Sequence, residues 1–396
     1  MDLRASGRIL YVAPADPSVG NGPGVNENEF IHALHAALGE RVRFLVPQPA
    51  ESVDDLPREA LHFCHPHRRY HPLHFPLHVI SQIRAANRLL REQPVDLLVF
   101  RIDVFPLVPL YLTWRHRLPY AIKTLGTGGL NALEHRGALA RALAPLNRWM
   151  FRRLVSRALA ADTDSQLHAE EMRERLGQSE EKIVWIDNAV NTGRFFPGSR
   201  EDARRQLGLE GFDPVVGYVG SRPWERGGAQ LIEAAARLVP KHPKLGVLIV
   251  GSGEPVAALQ RRAADLGIAE RCRFAGYVPY RKIPLHVQSL DVGVSISLAP
   301  ERAMNSELKV RQYLACGKPI VISPGSNEFV PAEGFGAVVE AEDLDAITAA
   351  LERWLALAPA EREAFARRTH AYMHEHLSMA AAIDGRLRLW AERMRA

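Results

Sequence analysis

Cysteine is scarce in this chain, and its apolar runs are short. The 396 residues include three cysteines, Cys64, Cys272 and Cys316, which are odd in number and far apart. A disulfide framework or a zinc ribbon needs more cysteines at closer spacings, so the sequence favours neither and suits a reducing cytoplasm. The most apolar stretch long enough to span a membrane, residues 95–114, contains three charged residues and two prolines, which excludes it as a membrane span.

The first ten residues also show no signal-peptide apolar core, since they run directly into a strand-like segment, Ile9–Val12. We therefore expect a cytoplasmic protein, either free or at the inner face of a membrane. No repeat with a period of about 20–50 residues is visible, which disfavours a solenoid. The net charge of +5 favours anionic partners.

The composition is that of a folded globular protein, with 47% hydrophobic and 24% charged residues. Short apolar segments alternate with longer helical patterns throughout, which is typical of parallel β-α-β units. The predicted strands are 9–12, 42–46, 97–99, 120–123, 158–161, 183–186, 215–219, 245–250, 272–275, 292–296, 319–322 and 336–339. The length suits two doubly wound domains of roughly 150–200 residues each.

A turn-rich segment, residues 188–198, separates the two halves and is the best domain boundary. We predict an N-terminal domain over residues 1–193 and a second domain over residues 194–374. The remaining segment, 375–396, is predicted to be a helix that crosses back to the first domain.

The most informative segment of the sequence is residues 306–323. It combines a polar helix start at Ser306, an amphipathic helix, the stop signal Gly317 and a buried strand after Pro319. Free N–H groups at such a helix start, together with the ammonium of Lys309, suit a phosphate group. An ordinary helix–turn–strand unit is the alternative.

Glycines follow three predicted strands of the second half. They are, in chain order, Gly220 and Gly227, Gly251 and Gly253, and Gly276. Ligands of open α/β sheets bind at the carboxyl ends of strands, so we expect these loops to converge on one crevice. Arg222 and Arg226 lie in the first loop, where guanidinium groups match diphosphate oxygens. Solvated loop charges and ordinary tight turns are the alternatives.

Together these segments resemble the retaining GT-B glycosyltransferases of family four, the glycosyl transferases group 1, over nearly the whole chain. The matching residues are Gly220, Gly227, Gly251, Gly253, Phe274, Gly276, Ser306, Leu308, Lys309, Ala315, Gly317 and Pro319. The resemblance implies an α/β fold of two doubly wound Rossmann-like domains facing a central cleft. It also implies a nucleoside-diphosphate sugar, of UDP or GDP, in the second domain and an acceptor in the first, with no metal or other cofactor required.

The same resemblance, combined with the glycine-rich loops, assigns three groups of site residues. The catalytic group is Arg222, Arg226, Lys309 and Glu301. The donor-binding group is Gly220, Gly227, Gly251, Gly253, Gly276, Tyr277, Val278, Ser306, Leu308, Val310 and Gln312. The group near the acceptor or in cleft loops is Gly22, Gly24, Asn26, Gly126, Thr127 and His135.

Four positions depart from the family pattern. Arg226 replaces a lysine, Glu307 replaces a proline, and Gln312 replaces the glutamate that binds the ribose hydroxyls. The family's other acid falls at Met304, so a shifted loop would have to bring Glu301 to the donor sugar. Gln312 can still hydrogen-bond a diol, but without the negative charge that strengthens such bonds.

The first half carries weaker signals for acceptor binding. Residues 20–28 read as a glycine-rich loop before a helix at 30–38, and a second loop, 124–129, lies where relatives often have a histidine. His135 is nearby, either as a catalytic group or as a surface residue. A histidine-rich run is predicted to be a loop beside the acceptor cleft, or plain surface. Its histidines are His62, His65, His67, His71, His74 and His78.

A basic amphipathic helix is predicted at about residues 136–157. It combines apolar residues with Arg136, Arg141, Arg148, Arg152, Arg153 and Arg157. Such a surface lies well on anionic lipid, which would suit a lipid-linked acceptor. The alternative is that its apolar stripe faces the core.

These features predict a retaining, metal-independent glycosyltransferase of polysaccharide or glycolipid synthesis. It would move a hexose-type sugar from a nucleotide sugar to a hydroxyl of a glycan or lipid-linked acceptor. Because Gln312 and Met304 replace acids, a noncatalytic nucleotide-sugar-binding or assembly protein is one alternative, and a sugar-nucleotide epimerase on the same scaffold is another. Nucleic-acid binding is disfavoured, since the arginines are spread over helices without an aromatic stacking platform.

Overall fold

The computed structural model describes residues 2–18, 22–50, 56–66, 74–134, 137–253, 255–298, 307–325 and 327–395. The chain forms two compact units. The first consists of Met1–Asp187 and Met379–Ala396, and the second of Asn188–Ser378.

The first unit is a parallel sheet covered by helices on both faces. Its strands are β1 (Ile9–Val12), β2 (Val42–Pro47), β3 (Leu61–Cys64), β4 (Leu97–Arg101), β5 (Tyr120–Lys123), β6 (Ala161–Thr163) and β7 (Ile183–Trp185). Its helices are α1 (Leu3–Ser6), α2 (Gly22–Leu38), α3 (His74–Glu92), α4 (Leu107–His116), α5 (Gly128–Asn131), α6 (Ala138–Arg157), α7 (Gln166–Leu176) and α16 (Met379–Arg395). The strand order is β3-β2-β1-β4-β5-β6-β7.

Two hydrophobic cores lie on the two faces of this sheet, because successive strand residues point in opposite directions. Ile9 and Tyr11 of β1 pack in the core that includes residues of α1, α2 and α16. Leu10 and Val12 pack in the core that includes residues of α3, α4, α6 and α7. Burial on both faces explains why β1 reads as a continuous apolar run.

The second unit has the same layered construction around a smaller sheet. Its strands are β8 (Val215–Val219), β9 (Gly246–Val250), β10 (Cys272–Gly276), β11 (Val292–Ser295), β12 (Ile320–Ile322) and β13 (Gly336–Val338). Its helices are α8 (Arg200–Leu207), α9 (Gly228–Leu238), α10 (Val256–Asp265), α11 (Ile283–Gln288), α12 (Leu308–Ala315), α13 (Phe329–Ala332), α14 (Leu344–Leu355) and α15 (Pro359–His376). The strands are parallel in the order β10-β9-β8-β11-β12-β13.

Short 3-10 turns complete the secondary structure of the two units. They are Gly39–Arg41, Arg58–Ala60, Pro223–Glu225, Ala269–Arg271 and Tyr280–Lys282.

The prediction of two doubly wound α/β units is confirmed, and each predicted strand overlaps a strand of the structure. One strand, β3, was missed, and β6 lies three residues later than the start of the predicted segment 158–161. The predicted domain limits, 193 and 374, compare with 187 and 378 for the compact units.

Candidate functional site

Three glycine-bearing strand ends lie side by side at the carboxyl edge of the second sheet. The Gly220 N–H donates to Val250 O at 3.3 Å, and the Gly251 N–H donates to Gly276 O at 2.9 Å. Gly251 has φ +143°, and a Cβ atom there would lie 2.6 Å from Gly220 O. Only glycine suits that position, because the neighbouring strand ends approach too closely for a side chain.

The loop that carries Arg226 is fixed against the end of β11. The Ile296 N–H donates to Arg226 O at 3.2 Å. Gly227 follows with φ +83°, and a Cβ atom there would lie 2.8 Å from Ile296 Cβ. Gly227 is therefore required by both its backbone conformation and its surroundings, and it places Arg226 next to β11.

Arg226 and Lys309 meet on one carboxylate, that of Glu307. The Arg226 guanidinium donates to Glu307 Oε1, and Lys309 Nζ lies 3.1 Å from Glu307 Oε2. Ser295 Oγ donates to the same Oε2 at 2.5 Å. We call these four residues the clamp cluster. Its three charged side chains are largely buried, with exposed fractions of 12% for Arg226, 9% for Glu307 and 17% for Lys309.

The electrostatics of the clamp cluster keep Glu307 ionised. Burial alone would raise the pKa of Glu307, but the positive charges of Lys309 and Arg226 and the Ser295 hydroxyl outweigh it and lower that pKa. Two cations and one anion leave a net positive charge of one. A largely buried positive charge beside several backbone loops is an arrangement that binds phosphate oxygens.

Lys309 is positioned by tight packing around the start of α12. Its Nζ lies 5.5 Å from the centroid of the Tyr218 ring, within the range of a cation–π contact. A Cβ atom on Gly220 would lie 2.9 Å from Lys309 Cε, so a side chain at position 220 would displace the lysine.

Arg311, which the sequence analysis did not single out, holds α12 in place through buried hydrogen bonds. It is completely buried. Its Nε donates to Asn188 O at 2.8 Å, and its Nη1 donates to Asn327 Oδ1 at 2.9 Å and to Glu307 O at 3.2 Å. Tyr313 adds a second anchor, since its hydroxyl oxygen accepts from the Val219 N–H at 2.6 Å. The amphipathic pattern gave no signal for Arg311, because a charged residue in a helix normally indicates the solvent face.

The other predicted donor-site and catalytic residues lie outside the clamp cluster or outside the described residues. Arg222 is largely exposed and pairs with Glu225 at 3.2 Å, so the structure does not bring it into the clamp cluster. Gln312 is buried on α12 and Val310 lies within the core. Tyr277 is 59% exposed beyond the end of β10. Glu301, Met304 and Ser306 lie outside the described residues, as does His135 of the first unit.

The glycine-rich segment of the first unit is helical, which corrects the predicted loop. Helix α2 begins at Gly22, so Gly22, Gly24 and Asn26 lie in its first turns. The physical reason is buried polar anchoring at the start of the helix. Lys123 Nζ donates to Asn26 Oδ1 at 2.7 Å, and Arg101 Nη1 donates to Glu27 Oε2 at 2.5 Å.

These contacts belong to a buried charged network at the ends of β4, β5 and β6. Arg386 of α16 donates to Asp162 Oδ2 from Nε at 3.1 Å and from Nη2 at 2.7 Å. Burial lowers the pKa of Lys123 to about 7, and the positive charges of Arg101 and Arg386 act in the same direction against the attraction of Glu27.

The predicted loop at 124–129 is held by polar side chains of α7 and the segment before it. The Gly126 N–H donates to Asp164 Oδ1 at 3.0 Å, and Thr127 Oγ1 donates to Glu171 Oε2 at 2.9 Å. The same Asp164 oxygen lies 3.1 Å from His168 Nδ1. The structure thus brings His168, which the sequence interpretation overlooked, against this loop. The sequence feature that could have drawn attention to His168 is Ser165, the N-cap of α7, whose Oγ accepts from the His168 N–H at 3.1 Å.

Three histidines of the histidine-rich run lie in regular structure, so the loop prediction was wrong for them, whereas His65 lies in a bend after β3. His62 lies in β3, whereas His74 and His78 lie in α3. His78 is buried, its Nδ1 lies 2.7 Å from His65 O, and His65 Nε2 lies 3.1 Å from His74 Nδ1. His67 and His71 lie outside the described residues. Packing against the sheet, rather than the many imidazoles, determines the conformation of this segment.

Helix α6 exposes some of its apolar residues, whereas Met150 and Leu154 are buried, so the alternative that the stripe faces the core holds for part of the helix. Leu139, Leu143, Leu146 and Trp149 are 78%, 38%, 49% and 57% exposed. An adjacent face, which includes Phe151, is buried. The helix carries five arginines and no acidic residue, and these arginines are exposed. We call this surface the α6 stripe.

Two features are absent from the described ranges. No helix in them combines the length and the apolar character needed to cross a membrane. Likewise, no three or more His, Cys, Asp or Glu side chains in these ranges are grouped as ligands of a metal ion.

Part of the chain is similar in sequence to known proteins. Residues 199–371 match the sequence model of the family described as glycosyl transferases group 1. The chain is 31% identical over 242 residues to a GDP-mannose-dependent alpha-(1-6)-phosphatidylinositol monomannoside mannosyltransferase of Mycolicibacterium smegmatis, which covers 58% of this chain and 62% of that protein. This chain spans only 45% to 62% of the length of three curated relatives that it matches.

Solved structures resemble the whole chain. A glycosyltransferase from Rickettsia africae has a TM-score of 0.75 and 15% identity, with 99% of both chains covered. Anabaena HepE in complex with UDP has a TM-score of 0.73 and 15% identity, covering 97% of this chain and 100% of that one. The whole chain therefore has the GT-B fold, and its residues 199–371 are similar to the glycosyl transferases group 1 family.

Proposed function

We propose that this chain is a retaining glycosyltransferase that moves a sugar from a UDP or GDP sugar to a hydroxyl of a glycan or lipid-linked acceptor. The observation that carries the proposal is the clamp cluster, in which Arg226 and Lys309 converge beside glycine-bearing strand ends. The clamp would stabilise the negative charge that develops on the leaving diphosphate. The family match over residues 199–371 supports this type of donor.

Donor binding tests the proposal directly. Lys309→Ala should weaken the binding of UDP or GDP at least about tenfold, because one charge-assisted hydrogen bond is worth about 1.5–3 kcal/mol. Titration calorimetry of both nucleotides measures this. Lys244→Ala removes an exposed lysine from the same unit and should change nothing. Absence of nucleotide binding to the folded wild-type protein would contradict the proposed donor site.

Turnover separates an enzyme from a noncatalytic nucleotide-sugar-binding protein, the alternative raised by Gln312. Wild-type protein should hydrolyse one nucleotide sugar slowly without acceptor, and Lys309→Ala should lose that activity. The anomeric configuration of a transfer product, read by NMR, tests retention. Nucleotide binding without hydrolysis or transfer across a donor panel would favour the noncatalytic alternative, whereas an altered sugar nucleotide would favour the epimerase.

We also propose that the α6 stripe lies on an anionic membrane and brings the enzyme to a lipid-linked acceptor. The support is the combination of exposed Leu139, Leu146 and Trp149 with five arginines and no acid on one helix. The mycobacterial relative is named for transfer to a phosphatidylinositol monomannoside, which agrees with an acceptor of this kind.

Sedimentation with vesicles tests the membrane proposal. Wild-type protein should bind phosphatidylglycerol-containing vesicles more strongly than pure phosphatidylcholine vesicles, and salt should weaken that binding. The double variant Leu146→Ser/Trp149→Ser should bind about tenfold more weakly or less. Trp185→Ser is the matched control, because Trp185 is 48% exposed on β7 of the same unit. Equal binding by the double variant and the control would refute a role of the α6 stripe.

A further inference from the structure

The clamp cluster contains an anion of its own, Glu307, which contacts the same two cations that would bind a diphosphate. Each carboxylate oxygen of Glu307 contacts one of the two clamp cations, Oε1 with Arg226 and Oε2 with Lys309 at 3.1 Å. Ser295 Oγ fixes Oε2 from a third direction at 2.5 Å. A diphosphate that takes both cations therefore competes with a carboxylate that is already hydrogen-bonded.

We propose that Glu307 is an internal counter-anion that weakens diphosphate binding and so favours release of the nucleoside-diphosphate product. This inference rests on the proposed function, because it concerns the same donor site. With the clamp empty, Glu307 pairs with both of these largely buried cations. When the diphosphate enters, at least one cation exchanges the carboxylate for a phosphate oxygen, and the phosphates remain close to a like charge.

The physical cost of that arrangement is electrostatic, since Glu307 is largely buried and water screens it poorly. Replacing the carboxylate by a neutral amide of the same shape keeps a hydrogen-bond acceptor for Ser295 and removes the competing charge. Glu307→Gln should therefore bind UDP or GDP about tenfold more tightly than wild type, which corresponds to about 1.4 kcal/mol. Binding of the uncharged nucleosides, uridine or guanosine, should not change.

A second variant shows whether tighter binding comes from loss of the carboxylate or from local packing of the glutamine side chain. Glu307 has φ −75° as the residue before α12, an angle that proline also adopts. Glu307→Pro should therefore fit the backbone and, lacking the carboxylate, should also tighten nucleotide binding. Glu352→Gln is the control, since it removes one negative charge from an exposed pair with Lys241 in the same unit.

Calorimetric titration of wild type and the three variants with UDP, GDP and the two nucleosides is the test. Circular dichroism confirms that each variant is folded. Tighter diphosphate binding in both Glu307 variants, with the control unchanged, supports the counter-anion. Unchanged or weaker binding in both variants, with measurable binding by wild type, overturns the counter-anion alone. If neither wild type nor the Glu307 variants bind any nucleoside diphosphate, the proposed donor site fails and the inference fails with it.

Discussion

Lys123 offers a quantitative test of the buried charged network in the first unit. This lysine is 2% exposed, and its ammonium donates to Asn26 at 2.7 Å and lies 3.9 Å from Glu27. Burial lowers the pKa of Lys123 to about 7. In an unfolded chain, the same group titrates near the ordinary value of about 10.4. The perturbation that tests this is Lys123→Met, which keeps a long side chain and removes the titratable group.

The sign and size of the effect follow from proton linkage. Between pH 7 and pH 10 the unfolded state binds more protons at this lysine than the folded state, so the free energy of unfolding rises with pH. Integrating from pH 7 to pH 9 with folded and unfolded pKa values of about 7 and 10.4 gives about 2 kcal/mol from Lys123 alone. Other groups titrate in both proteins, and the comparison with Lys123→Met removes their contribution.

Urea unfolding followed by circular dichroism at pH 7, 8 and 9 measures this difference. The wild-type free energy of unfolding should rise by about 2 kcal/mol more than that of Lys123→Met over this range. The absolute stability of the variant is not used, because the substitution also removes the hydrogen bond to Asn26. Parallel pH dependences of the two proteins would refute the reasoning, since they would mean that Lys123 stays protonated beside Glu27 up to pH 9.

Three further substitutions test the anchoring contacts. Gly251→Ala should destabilise the second unit by about 1–2 kcal/mol more than Gly267→Ala in urea unfolding, because both have positive φ but only the first Cβ would clash. Arg311→Met should lower the free energy of unfolding by about 3 kcal/mol in the same assay and weaken nucleotide binding, because α12 loses the buried hydrogen bonds of Arg311. An unchanged free energy of unfolding would contradict this role of Arg311. Arg386→Met should lower the free energy of unfolding by about 3–5 kcal/mol, because the buried Asp162 loses its guanidinium partner. Arg388→Met, on the exposed face of the same helix, should change the free energy of unfolding little.

Much of the fold was predictable because buried parallel strands leave a strong apolar signal. Strands β1, β5 and β8 were predicted to the residue, since they are buried along their whole length. Edge strand β3 was missed because the polar residue His62 breaks its apolar run, and its middle residues are not buried: His62 is partly buried and Phe63 is exposed. The predicted segment for β6 was displaced because that strand carries the buried polar residues Asp162 and Thr163.

The start of α2 shows why a local pattern failed in the first unit. Glycines normally indicate a loop, and the sequence interpretation began the helix at residue 30 rather than at Gly22. The contacts that stabilise the early turns come from Arg101 and Lys123, which lie at the ends of other strands. No pattern within residues 20–30 records those partners, so tertiary contacts overrode the local preference.

In the candidate donor site, residues with local sequence signals could be predicted, whereas residues defined by distant contacts could not. Glycines after strands and a lysine at a helix start are local features, so Gly220, Gly251 and Lys309 could be predicted as donor-site residues from the sequence. Glu307 was noted only as a departure from the family's proline. Its role in the clamp cluster depends on Arg226, 81 positions earlier in the chain, and on Ser295 at the end of β11. From the sequence alone, a carboxylate beside a predicted phosphate site suggests weaker phosphate binding, yet in the structure this carboxylate contacts both largely buried cations of the clamp cluster.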